Sequence, residues 1–140
     1  MVNNLELIKK YADKLDKAIK HLNFSFNRII NLPTNPKLLD DLQMEMWESF
    51  SARFARASEI YLTKYLRAII ISKDPGFEGS FRDLLDFAEK NSLIENVDEW
   101  LIIRSLRNIT AHDYTESDLE IFFINIKKYA PKLINIKIIY

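Results

Sequence analysis

The chain has 140 residues, 48% of them hydrophobic, enough to bury the core of one ordinary domain. Basic and acidic residues number 20 each, so no global field draws the molecule onto nucleic acid; such binding needs a local patch or a dimer cleft. The absence of cysteine excludes disulfides, thiolate catalysis and cysteine-ligated metals, and it fits a cytoplasmic protein.

Met1-Val2-Asn3-Asn4-Leu5-Glu6 does not read as a secretion signal, because charges soon interrupt its apolar positions. The longest uncharged apolar runs, such as Ala68-Ile69-Ile70-Ile71, are far too short to span a bilayer, so no membrane partner is expected. Gly76 and Gly79 are the only glycines, and the prolines are Pro33, Pro36, Pro75 and Pro131. Breakers this few and clustered favour long helices over a many-turned sheet.

The first predicted helix carries Leu5, Ile8, Ala12, Leu15, Ile19, Leu22, Phe26 and Ile29 at spacings alternating three and four, the period of a packed seam. Lys9, Lys10, Asp13, Lys14, Asp16, Lys17 and Lys20 lie off it and read as a solvated face; His21 reads as a surface residue. The helix should end near Asn31, ahead of Pro33 and Pro36. A second long helix is predicted from about Pro36 to about Ile71. Its buried stripe is Leu39, Leu42, Met46, Phe50, Phe54, Ala57, Tyr61, Tyr65 and Ala68, with Arg53, Arg56, Glu59 and Lys64 beside it.

After a loop through Pro75 and Gly79, Ser80 and Asp83 have the spacing of a capping box, which starts a short helix with Phe81, Leu84, Leu85 and Ala88 inward. A fourth helix begins near Val97, with Trp100, Ile103 and Leu106 on its apolar edge and Leu101 and Ile102 widening it. Start signals at Thr115 and Ser117 open a fifth, with Leu119, Phe122, Phe123, Ile126 and Tyr129 inward. Pro131 should bend or restart the chain, and the tail from Leu133 reads as a last helical turn with an extended end. The expected architecture is one all-α domain over residues 1–140, an antiparallel bundle of about five helices. The seams of both long helices are wide enough for more than one neighbour, which a homodimer would satisfy, although periodicity does not separate core from interface.

Chemistry concentrates in Arg107-Asn108-Ile109-Thr110-Ala111-His112-Asp113-Tyr114. Arginine can fork onto a phosphate, histidine moves protons near neutral pH, and a phenol can donate, accept or be modified. On an ideal helix Arg107 and His112 would point about 140° apart. They converge only if the helix ends between them, near Ala111, or if a second subunit closes the gap. Plainer roles exist for each: a histidine capping a helix end, an arginine in a surface ion pair and a packed tyrosine. No histidine–carboxylate cluster has metal-ligand spacing and no glycine-rich phosphate loop is present, so neither metal nor cofactor is expected.

The run Arg107-Asn108-Ile109-Thr110-Ala111-His112 resembles the signature of HEPN domains, the higher-eukaryote and prokaryote nucleotide-binding class: an arginine, a polar residue, three variable residues and a histidine. Asp113-Tyr114 extends it to the form of HEPN toxins encoded beside minimal nucleotidyltransferases. Leu106 to Glu116 looks especially like the group described as nucleotidyltransferase substrate-binding proteins. Leu93-Ile94 and Asp98-Glu99-Trp100 resemble the family's run into the motif, and the likeness covers roughly Asp40 to Leu133. The chain departs from it at Phe54-Ala55, where relatives often carry phenylalanine–glutamate; this leaves Arg53 and Glu59 as helix-two candidates.

The resemblance implies a HEPN-like up-and-down bundle and a homodimer whose two motifs face each other across a cleft. It implies a metal-independent ribonuclease acting on RNA such as tRNA, with Arg107 and His112 catalytic and Asn108 supporting. Arg104, one turn before Arg107, could extend a basic strip toward RNA, or form an ordinary ion pair. Asp113, Glu116 and Asp118 would repel phosphate. Tyr114 is the implied site at which a partner nucleotidyltransferase antitoxin adds adenylate. The alternatives are a non-catalytic nucleotide- or substrate-binding subunit of that partner and a helical dimerisation module without chemistry.

Overall fold

In the computed structural model, which describes residues 3–107 and 115–139, the regular structure among the described residues is entirely helical. Helix α1 spans Asn4–Ile29 and a 3₁₀ turn spans Pro36–Leu38. Helix α2, Asp41–Glu59, runs without a break through a π-helical segment, Ile60–Tyr65, into α3, Leu66–Lys73. Helices α4, Phe81–Lys90, α5, Val97–Arg107, and α6, Glu116–Ile134, follow. Counting α2 to α3 as one rod gives five helices among the described residues, the number expected.

Local chemistry sets the starts. Asn3 accepts from the Glu6 N–H at 2.8 Å to cap α1. The rod containing α2 begins at Asp41 rather than near Pro36, because Asp40 and Gln43 form a reciprocal capping box at 2.8 and 3.1 Å. Asn35 caps the 3₁₀ turn instead, accepting from Lys37 N–H. Ser80 and Asp83 make the expected box at α4, at 2.9 and 3.1 Å. Thr115 caps α6 through the Asp118 N–H at 3.2 Å. Helix α6 continues through Pro131 to Ile134 and does not restart there.

Helix α1 packs along α2, and α5 and α6 pack against α2. Ala12, Leu15, Leu22 and Ile29 of α1 meet Trp47, Phe50 and Phe54 of α2 and Phe123 and Ile126 of α6 in one buried cluster. Trp47 stacks on Phe123 with centroids 4.4 Å apart, meets Phe50 edge-on at 5.8 Å, and donates its indole N–H to the Pro33 carbonyl at 3.0 Å. The indole thus ties the proline-rich connection to the core while satisfying its own donor. Leu42, placed on the buried stripe by its sequence spacing, is 60% exposed. Counting back from Trp47, residues 43 and 44 share its face and residue 42 lies about 140° away. Leu5 is also 60% exposed.

The π segment has a packing cause. From Ala57 to Ile70 buried pairs repeat every four residues, Ala57-Ser58, Tyr61-Leu62, Tyr65-Leu66 and Ile69-Ile70, with Ala68 buried besides. An α-helix would rotate this repeat about 40° per step off its neighbours. The wider turn, closed by the Leu66 N–H bonding the Tyr61 carbonyl, keeps it facing the core. Burial and the neighbouring Tyr65 raise the Tyr61 pKa, so its phenol stays protonated. After Ile134 the tail leaves the helix, and the Tyr65 hydroxyl pins it by donating to the Ile139 carbonyl and accepting from its N–H, both at 2.6 Å.

Candidate functional site

Helix α5 presents Trp100, Ile103 and Arg107 at spacings of three and four, so the arginine occupies the next position of an apolar stripe. Its side chain is only 18% exposed. An unpartnered guanidinium there would be costly, and α2 supplies the partner: Arg107 Nη1 forms an ion pair with Glu59 Oε2. Glu59 is the last residue of α2, immediately before the π segment. Thr63, inside that segment, donates its hydroxyl to the Glu59 carbonyl at 2.7 Å and lies 3.4 Å from its Oε1. The helical irregularity and the carboxylate are therefore one local unit, a common setting for π segments at functional positions.

Ala55, Arg56, Glu59 and Arg107 line an open groove. Arg56 is exposed there, Glu59 keeps 47% of its side-chain surface in solvent, and Arg107 keeps 18%. Arg107 Nε is buried without a hydrogen-bond partner among the described residues. Phe54 is fully buried while Ala55 faces the groove. Ala55 brings no carboxylate to the groove; Glu59, one turn on, brings one to Arg107.

Arg104 lies elsewhere. Its guanidinium sits over the Phe81 ring of α4, 3.8 Å from the centroid, within stacking distance. Its Nε is likewise buried and unpartnered among the described residues. Arg53 also leaves the groove: Nη1 donates to Ser25 Oγ at 2.8 Å and to the His21 carbonyl at 3.2 Å, tying α2 to α1. Of the two helix-two candidates, then, Glu59 meets the motif arginine and Arg53 does not. Asn108, His112 and Tyr114 lie outside the described residues, as does Asp113. Glu116, expected to repel phosphate, makes an ion pair with Lys37 at 3.5 Å, which offsets its charge.

Two sequence signals could have pointed here. Arg107 follows Trp100 and Ile103 at helical spacing, and a mostly buried arginine needs an acidic partner on an opposing helix. Glu59 follows four residues after Ala55, on the same side of α2. Arg56 was legible only as a residue beside the stripe. Among the described residues no group of three or more histidines, aspartates and glutamates is arranged to hold a metal, and no helix is long and apolar enough to cross a membrane. Comparison with protein-family models, with curated proteins and with solved structures finds no match to this chain.

Proposed function

We propose that this chain is a HEPN-type, metal-independent endoribonuclease of a toxin–antitoxin module, working as a cytoplasmic homodimer and silenced by a partner nucleotidyltransferase that adenylylates Tyr114. The observation that supports the reading is the position of Arg107: at the end of α5, oriented by Glu59, on an open groove shared with Arg56. A fixed guanidinium beside open space suits a phosphate, with two forked donors and no deprotonation.

In this mechanism His112 takes the proton from a ribose 2′-hydroxyl, and the 2′-oxygen attacks the adjacent phosphorus. Arg107 stabilises the charge that grows on the phosphoryl oxygens, and Asn108 orients the histidine or a phosphate oxygen. The P–O5′ bond breaks and the departing 5′-oxygen takes a proton from the second protomer's histidine. The products are a 2′,3′-cyclic phosphate and a 5′-hydroxyl. Adenylate on Tyr114 would add negative charge to the motif and oppose phosphate binding by Arg107.

One observation favours the alternative, a non-catalytic nucleotide-binding subunit of the same partner. Glu59 already neutralises Arg107, so an incoming phosphate must compete with a carboxylate. The experiment that separates the two is cleavage of a total tRNA pool in EDTA by wild type, Arg107→Ala and His112→Ala. Cleavage by wild type alone, leaving cyclic phosphate ends, supports the nuclease. No cleavage by folded protein with Tyr114 unmodified, together with retained nucleotide affinity, supports the binding subunit.

A further inference from the structure

Helix α1 carries a second surface that the proposed chemistry does not use. Phe24 is 58% exposed near the C-terminal end of that helix. Lys10, Lys17, His21, Phe24 and Arg28 follow one another at spacings of seven, four, three and four. At about 100° per residue these positions stay within roughly 40° of one line along the helix. All but Phe24 are basic or can become so, and all are exposed. Three acids share this side: Glu6 has the bearing of Phe24, Asp13 lies only about 20° beyond it, and Asp16, further round, pairs with Lys20 at 3.0 Å.

The aromatic is framed by cations. Arg28 and, from α2, Arg53 each place a guanidinium carbon 5.8 Å from the Phe24 centroid. That differs from Arg104, whose guanidinium closes the Phe81 face at 3.8 Å. Both arginines lie over the Phe24 ring but 2 Å farther out, and Phe24 keeps 58% of its surface exposed. An exposed ring that contributes nothing to the core, overlain by two arginines and continued by a line of basic side chains, matches how proteins hold single-stranded nucleic acid. A base stacks on the ring while the cations follow the phosphates. Anionic membranes also take an exposed phenyl among cations, so the vesicle arm of the test below separates that occupant from RNA. On α2, Arg56 comes one turn after Arg53 and lines the Arg107 groove, so the basic surface continues toward that groove over about 5 Å of helix axis.

We infer that the Phe24 face of α1 is a single-stranded RNA-binding platform, with a base stacked on Phe24 and its flanking phosphates held by Arg28 and Arg53. It shares a substrate class with the proposed nuclease but stands on a different surface. Its test therefore measures binding without cleavage, in an Arg107→Ala background with EDTA. A fluorescein-labelled oligouridylate is titrated against this protein by anisotropy, with Phe24→Ala and Arg28→Gln added singly. Phe24→Ala should weaken binding about 5- to 100-fold. Arg28→Gln should reduce the slope of log affinity against log salt by roughly 0.7, one phosphate contact on a single strand. Duplex RNA of equal length should bind more weakly, since its bases are stacked and paired.

Equal affinities for all three proteins would overturn the inference. So would a preference for duplex, or tighter binding to phosphatidylserine vesicles than to the oligonucleotide. Loss of tRNA cleavage in the proposed-function experiment would leave this result unaffected, so the two readings fail separately.

Discussion

Replacing Glu59 with glutamine separates an ion pair that merely holds α2 to α5 from one that controls an anion site. The substitution keeps the shape and an acceptor oxygen but removes the charge facing Arg107. The gross attraction of two unit charges about 4 Å apart is about 4 kcal/mol at an effective dielectric near 20. Glu59 is almost half exposed, so solvent screening and ordering costs bring the pair toward the upper end of exposed bridges, about 1 kcal/mol. Glu59→Gln should therefore lower Tm by about 3 °C for a domain of this size. A double-mutant cycle with Arg107→Gln should show a coupling of about 1 kcal/mol. The same substitution removes the carboxylate that competes with an incoming phosphate. Affinity for a nucleotide or short RNA, measured by titration calorimetry at constant salt, should rise about fivefold, the equivalent of that 1 kcal/mol. Glu45→Gln, an exposed change near the start of α2, controls for net charge and should produce only a slight rise. Stability falling with no gain in phosphate affinity would refute the anion-site reasoning and leave a structural bridge.

Three other outcomes follow from the surrounding structure. Tyr65→Phe deletes both hydrogen bonds to Ile139; it should cost about 1–3 kcal/mol and speed amide exchange across residues 136–139, read by hydrogen-exchange mass spectrometry. Gly79→Ala would set a methyl 2.7 Å from Asp83 Cβ and 2.9 Å from Phe77 Cζ; the resulting shift in the α4 cap should lower stability by about 1–3 kcal/mol in urea unfolding. The Ser80 backbone N–H, then its hydroxyl, hold the Asp83 carboxyl below its ordinary pKa, so its contribution is present above about pH 4 and is lost as pH falls through the lower folded value. The Tm gap between wild type and Asp83→Asn should therefore be full at pH 6 and close in strongly acidic buffer.

Much of the fold was legible because each helix carries its own boundary chemistry. Asp40 with Gln43, Ser80 with Asp83, and Thr115 with Asp118 are local pairs, settled within four residues. The first two differ in how they could be read. Ser80 follows a clear loop, whereas Asp40 sits only a few residues after Pro36, and the periodic pattern invites an earlier start. The stripe of α2 was harder. Leu42 looks like a core residue by type, but Trp47 sets the register, its stack on Phe123 from α6 fixes that face, and Met46 packs against the core beside it. Nor does a four-residue repeat of buried positions announce a π segment; it becomes one when the α-helical drift must be cancelled against fixed neighbours.

The candidate site shows why composition can mislead about partners. A chain with equal numbers of basic and acidic residues has no global pull on RNA, yet its charges are not evenly placed. Glu59 is spent on Arg107, Glu116 on Lys37, and Glu99 on Lys132 at 3.1 Å. Arg28 and Arg53 lie over the exposed Phe24 ring, while Arg56 faces the groove. These ion pairs remove cation and anion alike, so the Phe24 edge of α1 and α2 is cationic through where its arginines are placed, not through any surplus of charge. Such a surface should bind with a steep salt dependence and fade near physiological ionic strength unless the stacked base adds its share. The Phe24→Ala measurement is decisive for that reason: it removes the part of the interaction that salt does not screen.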